Sequence, residues 1–464
     1  MDIVIIYNEI LKLRSIIVMD RRGEIIVNVY RKNSYIPITD AKVTITSSEE
    51  NRRQQIVVNT NSVGQTESVD LSAPSIELSL EPQYAERPYS LWDLKVEAEG
   101  YAPVIVRNAQ VLPDTEAIQN IELEPVETQT RQSLEELIIN VLPNKLFGNF
   151  PPKIPEAPEK PLPGTPGGGE VVLSQVVVPE FVVIHAGVPN NTGAPNYKVP
   201  FKDYIKNVAS SEIYDTWPEN TIRANIYCIL SFTLNRVFTE WYRGKGYNFT
   251  ITNSTAFDHA FSYGRNIFGK INRIVDEIFT SYIKRQGAKQ PLLTQYCDGE
   301  RVKCPGWLTQ WGSKYLGDQG KTPYEILTNF YGTDIDIVKA PKVGGIPKSE
   351  PGYVLKVGSR GEPVRSIQIY LNRISNNYPL IPKLAVDGVY GSGTANSVKV
   401  FQSIFGLPQT GKVDTATWYK ISNIYVGVSK IAELRSSIVS NTGIFTPPVP
   451  YSTMENVPTI EYPI

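Results

Sequence analysis

Glu212 is the acidic side chain best placed for proton chemistry. It lies in the run Val208-Ala-Ser-Ser-Glu-Ile-Tyr-Asp-Thr-Trp-Pro-Glu-Asn-Thr-Ile-Arg223, with Tyr214 and Trp217 close by. Upstream, Tyr204, Ile205, Val208 and Ser211 or Glu212 recur at helical spacing, which carries Glu212 on or beside the buried face at a helix end. Trp217-Pro218 breaks the chain. Proline suits a first helical turn, and the next helix shows Ile222, Ile226, Ile229, Leu230, Thr233 and Val237 on one stripe. A carboxyl at such a corner, partly buried against Tyr214 and Trp217, has its neutral form favoured and can donate a proton. Asp215 and Glu219 are further carboxylates, but surface and helix-start positions account for them, Glu219 lying where an acid complements the helix dipole.

Other chemistries are poorly supplied. The chain has only two histidines, His185 and His259, too few for a zinc peptidase or amidase built on several histidine ligands. Cys228 sits among Ile226, Tyr227, Ile229 and Leu230 and reads as a buried thiol, whereas a nucleophilic cysteine needs an activating, partly exposed setting. Cys297 and Cys304 could be free thiols, a loop disulfide or half of a zinc site. His259, Asp258 and Asp298 are the obvious further donors, and the expected cofactor complement is none, with a structural zinc at this pair as the alternative.

The elements that position these residues fall into several domains, as 464 residues allow. A net charge of −1 gives no reason to expect a partner held by phosphate neutralisation, so no nucleic acid is expected. The opening MDIVIIYNEILKLRSIIVMDRRG is interrupted by Asp2, Asn8, Glu9, Lys12 and Arg14, so neither a membrane helix nor an ordinary signal peptide is expected, and Met19 is a second candidate start. Residues 1 to 22 are read as a leader. Residues 23 to 126 alternate at period two around 24–30, 41–46, 75–80 and 92–98, a β domain. Residues 127 to 178 are read as a Pro/Gly-rich linker with a processing region, its composition centred on 151–169, and a short amphipathic helix capped by Ser133 is expected before that centre at 132–142. Strands at 171–178 and 181–185 enter a domain over 179 to 340, with His185 a structural strand residue. Residues 341 to 427 form a small helical domain, and 428 to 464, with Pro447-Pro-Val-Pro450, an extended tail. The fold class is multidomain α+β.

Several of these stretches carry family resemblances. The Glu212 run, with Trp217-Pro218 before a long helix, resembles the catalytic segment of the SpoIID/LytB-type lytic transglycosylases. A second block agrees: Gly306-Trp-Leu-Thr-Gln-Trp-Gly312, then Gly320, Tyr324-Glu-Ile-Leu327 and Phe330-Tyr-Gly-Thr333. The family's glycine-rich stretch before Gln-Trp-Gly is replaced by the segment from Cys297 to Pro305, a departure that bears on substrate more than on the acid. The resemblance implies an α+β catalytic domain with Glu212 as acid and base, and Tyr214, Trp217, Ser254, Gln310 and Trp311 facing substrate. Residues 352 to 422, with Leu355-Lys-Val-Gly-Ser-Arg-Gly, Val386-Asp-Gly-Val-Tyr-Gly-Ser-Gly-Thr394 and Val398-Lys-Val-Phe-Gln402, resemble the peptidoglycan-binding type 1 module, a three-helix bundle. There Asp387, Gly388, Tyr390, Gly391, Thr394, Phe401 and Gln402 match the motif, Gly361, Gly388, Gly391 and Gly411 suit tight turns, and Val364, Ile367, Leu371, Val398 and Phe401 suit a helical core. Residues 23 to 126 resemble the transthyretin-like, carboxypeptidase-regulatory β-sandwich.

This order of modules is similar to the clostridial germination-specific spore cortex-lytic pro-enzymes (SleC-type). The resemblance implies a pro-form cut near the linker by a subtilisin-like germination protease, acting on cortex peptidoglycan glycan strands outside the spore core. The expected reaction is cleavage after N-acetylmuramic acid to a 1,6-anhydro end without water. A non-catalytic peptidoglycan-binding spore or wall protein, and a hydrolytic muramidase or glucosaminidase using two carboxyls, are the alternatives.

Overall fold

The computed structural model describes residues 21–49, 54–126, 136–156 and 173–439, with side chains through 429. The leader up to residue 20 and the tail beyond 439 lie outside the described residues. The fold is mixed α+β.

The N-terminal part is built of β1 (Arg21–Arg31), β2 (Lys42–Ser47), β3 (Gln55–Asn59), β4 (Val69–Ala73), helix α1 (Glu77–Leu80), β5 (Ser90–Glu97), β6 (Val104–Val111), β7 (Glu116–Leu123) and β8 (Leu137–Asn140). One sheet runs β3-β2-β5-β6-β8 and the other carries β7-β1-β4. Strand β5 shows the period-two logic: Ser90, Trp92, Leu94 and Val96 are buried and the residues between are half-buried. Two expectations differ. Residues 75–80 are not a strand; α1 turns there, burying Leu78 and Ser79 and turning the Ser79 carbonyl toward Trp217. Over 136–142 the expected helix is not formed. Residues 132–135 lie outside the described residues, and β8 pairs in parallel with β6, Leu137 opposite Val104, because the open β6 edge offers hydrogen bonds that a lone short helix would lack.

The middle part begins with β9 (Val177–Val178), β10 (Phe181–His185), β11 (Asn196–Pro200), α2 (Phe201–Glu212), α3 (Glu219–Phe238) and β12 (Ile251–Thr252). It continues through β13 (Ile267–Phe268), α4 (Gly269–Ile278), β14 (Ser281–Arg285), β15 (Tyr296–Cys297), β16 (Leu308–Thr309), α5 (Gln310–Asp318), α6 (Pro323–Tyr331), β17 (Ile335–Lys339) and β18 (Lys342–Val343). Helix α3 is buried on nearly every side, and α6 starts with a capping box in which Thr322 and Glu325 satisfy each other's backbone N–H groups. Strand β13 joins the N-terminal sheet, Ile267 opposite Ile118 on β7, so the first two parts share one sheet.

The C-terminal part consists of α7 (Glu362–Ile374), α8 (Ser392–Ile404) and α9 (Thr415–Val439) around Val364, Ile367, Leu371, Val398, Phe401 and Trp418. Gly388 and Gly411 have φ of +73° and +63°, as tight turns require, whereas Gly391 has φ −89° and instead stands as the N-cap of α8. Helix α9 continues through 428–439, so that portion is not an extended tail.

Trp217 is fully buried and its indole N–H donates to the Ser79 carbonyl at 2.8 Å, across the junction of the first two parts. Trp217→Phe leaves that carbonyl without its donor and is expected to cost about 1–3 kcal/mol. A melting temperature unchanged from the parent would show that this bond does not contribute.

Candidate active site

Helix α2 ends at Glu212 because Ile213 turns extended (φ −135°, ψ 168°), and Pro218 caps α3 six residues later. The helix is buried almost throughout, and its orientation is set by charge. Lys202 and Lys206, one turn apart, reach the two oxygens of buried Asp276 on α4 at 2.9 Å each. Glu212 lies six residues beyond Lys206, about 240° further round at ~100° per residue, so it points away from that clamp. Burial alone would raise Asp276, but Lys202, Lys206 and Lys420 outweigh it and hold the carboxyl far below its ordinary range.

Glu212 has no exposed surface. One oxygen accepts the backbone N–H of Ala260 at 2.6 Å. The other faces the Lys145 ammonium at 3.3 Å and the Gln310 amide at 3.4 Å, and the same Gln310 nitrogen donates to the Glu212 carbonyl at 3.0 Å. The Tyr296 hydroxyl is kept un-ionised by burial and by the neighbouring Glu212. Ala260 is held in place by Asp258, which accepts from Arg236, Tyr242 and both the N–H and hydroxyl of Thr252, all within 2.9 Å.

Lys145 belongs to a strap, residues 141–156, laid across this end of α2. Its backbone N–H donates to the Ser211 carbonyl at 2.7 Å, and the Asn144 amide donates to the carbonyls of Ser210 and Ile213. Arg301 holds the carbonyls of Phe147 and Gly148 at 3.0 Å. Further along, Lys153 donates to the Asp258 carbonyl and lies over the Phe232 ring at 4.5 Å, and Glu156 pairs with Arg236. The region read as linker is therefore packed structure over 141–156.

The sequence-derived residues fare differently. Gln310 meets Glu212. Tyr214, Trp217 and Trp311 form an aromatic cluster, with Trp217 and Trp311 centroids 5.0 Å apart, and Glu212 is fully rather than partly buried. Ser254 closes a turn, its carbonyl accepting from Phe257 and Asp258 N–H. Asp215 accepts from the N–H groups of Ile271 and Lys270 at the start of α4, and burial pushes it up to about 6. Glu219 pairs with Arg223 and Arg273. Cys228 is a free buried thiol, raised by burial to about 12. Cys297 and Cys304 are joined in a disulfide, which leaves neither as a thiolate for zinc, and among the described residues no group of three or more His, Cys, Asp or Glu could hold a metal.

In the C-terminal module, Asp387 accepts from Gln368 and Val389 N–H, Gly388 N–H donates to Gln368, and the Tyr390 hydroxyl donates to the Gly411 carbonyl. Gln402 bridges Gly411, Lys412 and Thr417, Thr394 and Phe401 are buried, and Gly391 caps α8. Most of these residues are tied into the module's turns and core, while Asp387 remains exposed.

Lys145, Lys153, Tyr296 and the Ala260 N–H were not anticipated. A signal existed for the strap: Leu142-Pro-Asn-Lys-Leu-Phe-Gly-Asn-Phe150 carries several large apolar residues before the Pro-rich run begins.

Residues 360–421 match the peptidoglycan binding domain family. No curated protein matches the chain. Among solved structures, the crystal structure of the SleB N-terminal domain is 30% identical, covering 17% of this chain and 99% of that one at a TM-score of 0.15. A mercury-inhibited catechol 1,2-dioxygenase from Acinetobacter sp. ADP1 is 11% identical, covering 26% and 59% at 0.17. The matched module supports binding to peptidoglycan and a cell-wall role. Among the described residues no helix is long and apolar enough to cross a membrane.

Two outcomes test this electrostatic arrangement. Burial lowers Lys153 to about 7. An unfolded lysine near 10.5 binds more protons than the folded one above that value, so stability is expected to rise from pH 7 toward 10 and to be flat below 7. Lys153→Met, compared by melting temperature across this range, is expected to flatten the rise. Asp276→Asn leaves buried ammonium groups unpaired and is expected to cost about 3–5 kcal/mol in denaturant unfolding; a cost under 1 kcal/mol would refute the clamp.

Proposed function

We propose that this chain is a spore cortex peptidoglycan-degrading lytic transglycosylase, made as a pro-form, with Glu212 as its acid and base. The reading is supported by a carboxyl at a helix junction, excluded from water and oriented by Gln310 and the Ala260 N–H, in a chain that also carries a peptidoglycan-binding domain. Glu212 protonates the glycosidic oxygen that leaves C1 of N-acetylmuramic acid. As carboxylate it then takes the proton of that sugar's 6-hydroxyl, whose oxygen bonds to C1. The C1–oxygen bond to the next sugar is lost, an intramolecular one replaces it, and no water is consumed.

In the described form one Glu212 oxygen faces Lys145 of the strap. Cleavage between the strap and β9 by a subtilisin-like germination protease would free the strap's downstream end, and departure of residues 141–156 would open Glu212 to a cortex glycan strand. Partners on this reading are the glycan and the protease, and the site of action is the spore cortex, outside the spore core.

The test is mass spectrometry of fragments released from spore cortex by the protease-nicked chain, beside Glu212→Gln. Anhydro-muramic ends that fall by about 10²–10⁴-fold in the variant are expected. Reducing ends would make the chain a hydrolase, and wall binding without release would make it a binding protein. The uncut chain is expected to bind the wall but release little.

A further inference from the structure

At one end of the middle part, the β10–β11 hairpin and residues 247–249 enclose an open depression of about 380 Å³. That lies within the range of small-ligand sites, roughly 300–1,000 Å³. None of its lining residues is Asp, Glu, Lys or Arg. It is walled by His185, Asn190, Asn196, Tyr247, Asn248 and Phe249.

Hydrogen-bond bookkeeping defines what it lacks. Asn196 donates its amide N–H to the Asn248 side-chain oxygen at 3.2 Å, so its own oxygen must be the acceptor toward His185 Nδ1 at 2.9 Å. Nδ1 therefore carries a proton, and in the uncharged ring Nε2 is left as an acceptor. His185 is only 5% exposed, and Nε2 has no partner in the protein. Its ring stacks on Phe249 at 4.6 Å, and Tyr247 continues the aromatic wall at 5.0 Å from Phe249 while remaining half-exposed. The Tyr247 hydroxyl donates to the Asn190 oxygen, which turns the Asn190 amide nitrogen into a donor at the rim.

We propose that this depression is a carbohydrate subsite for a neutral N-acetylated sugar unit, read by asparagine amides at the rim and the Tyr247 face, with the His185 ring behind them. Asn190 donates to a sugar oxygen, and the apolar C–H face of a pyranose lies on Tyr247. A stem peptide is disfavoured because its carboxylates would meet no cation. The subsite is tied to Glu212 through the backbone: Asn253 N–H donates to the His185 carbonyl, and β12, paired to β10 at His185, leads into the 252–260 loop that ends at the Ala260 N–H. A glycan seated here would bear on the loop that orients the acid.

This inference rests on the reading that the chain acts on peptidoglycan glycan, but its test needs no turnover, so it fails or holds separately from fragment release. The chain has two histidines. In the full chain carrying ¹³C-labelled histidine, the ring Cε1–H signal of His185 is assigned by its loss in His185→Gln or, should that variant not fold, by its ring-current shift in Tyr247→Ala. Titration with N,N′,N″-triacetylchitotriose is expected to move this signal saturably and to leave His259, buried in the core, unmoved. Asn190→Ala and Tyr247→Ala, both at the rim, are expected to raise the midpoint about fivefold, one hydrogen bond's worth. No movement with the sugar at millimolar concentration, or movement with a stem tripeptide instead of the sugar, would overturn the proposal.

Discussion

A carboxylate without water must be given partners, and Glu212 draws them from separated parts of the chain. The ammonium comes from the strap, the N–H from the loop after β12 and the amide from the first residue of α5. Removing a charge from water costs several kcal/mol before any partner is found. The three segments that supply partners are therefore bound to the conformation of the α2 end, and the disposition of the chain around the candidate site follows from satisfying this one group.

The same logic couples the parts of the molecule. Helix α2 is gripped from the far side by Asp276, which Lys420 of α9 also approaches at 3.9 Å. On the near side, Arg265 joins Ser211 to Gln110 of β6, each at 2.9 Å, and Asn266 exchanges hydrogen bonds with the Gln110 backbone. One N-terminal sheet is thus continuous with the middle part through β13, and the other is hydrogen-bonded through Arg265 to the helix that carries the acid. The strap leaves this second sheet at β8 and runs onto Glu212, so N-terminal structure and the surroundings of the candidate acid are mechanically coupled.

Burial also explains which sequence matches are about architecture. In the C-terminal module, motif glutamines and glycines answer each other across turns, as Gln368 does for Gly388 and Gln402 for Gly411. A buried amide side chain can satisfy turn N–H and carbonyl groups that no helix or sheet reaches. Such residues stand in the motif because the turns need them.

Local patterns in the sequence determined the long helices, the period-two strands around Trp92, the helix break at Trp217-Pro218 and the three helices of the C-terminal module, because each follows from the spacing of apolar residues and from turn chemistry within a few positions. They also placed Glu212 at a helix end, while Gln310 came only from the family resemblance, as a residue facing substrate. They misplaced residues 75–80 and 136–142, where an edge to pair with or a tryptophan to meet outweighed weak local preference, and read 141–156 as linker because prolines nearby masked its apolar content. Only the tertiary structure decided that Cys297 and Cys304 are bonded, that Tyr214, Trp217 and Trp311 cluster together, and that Lys145 faces the acid. Those are meetings between residues tens of positions apart or, for the disulfide, a loop closure among open alternatives; each depends on the whole packing, of which spacing along one chain carries no record.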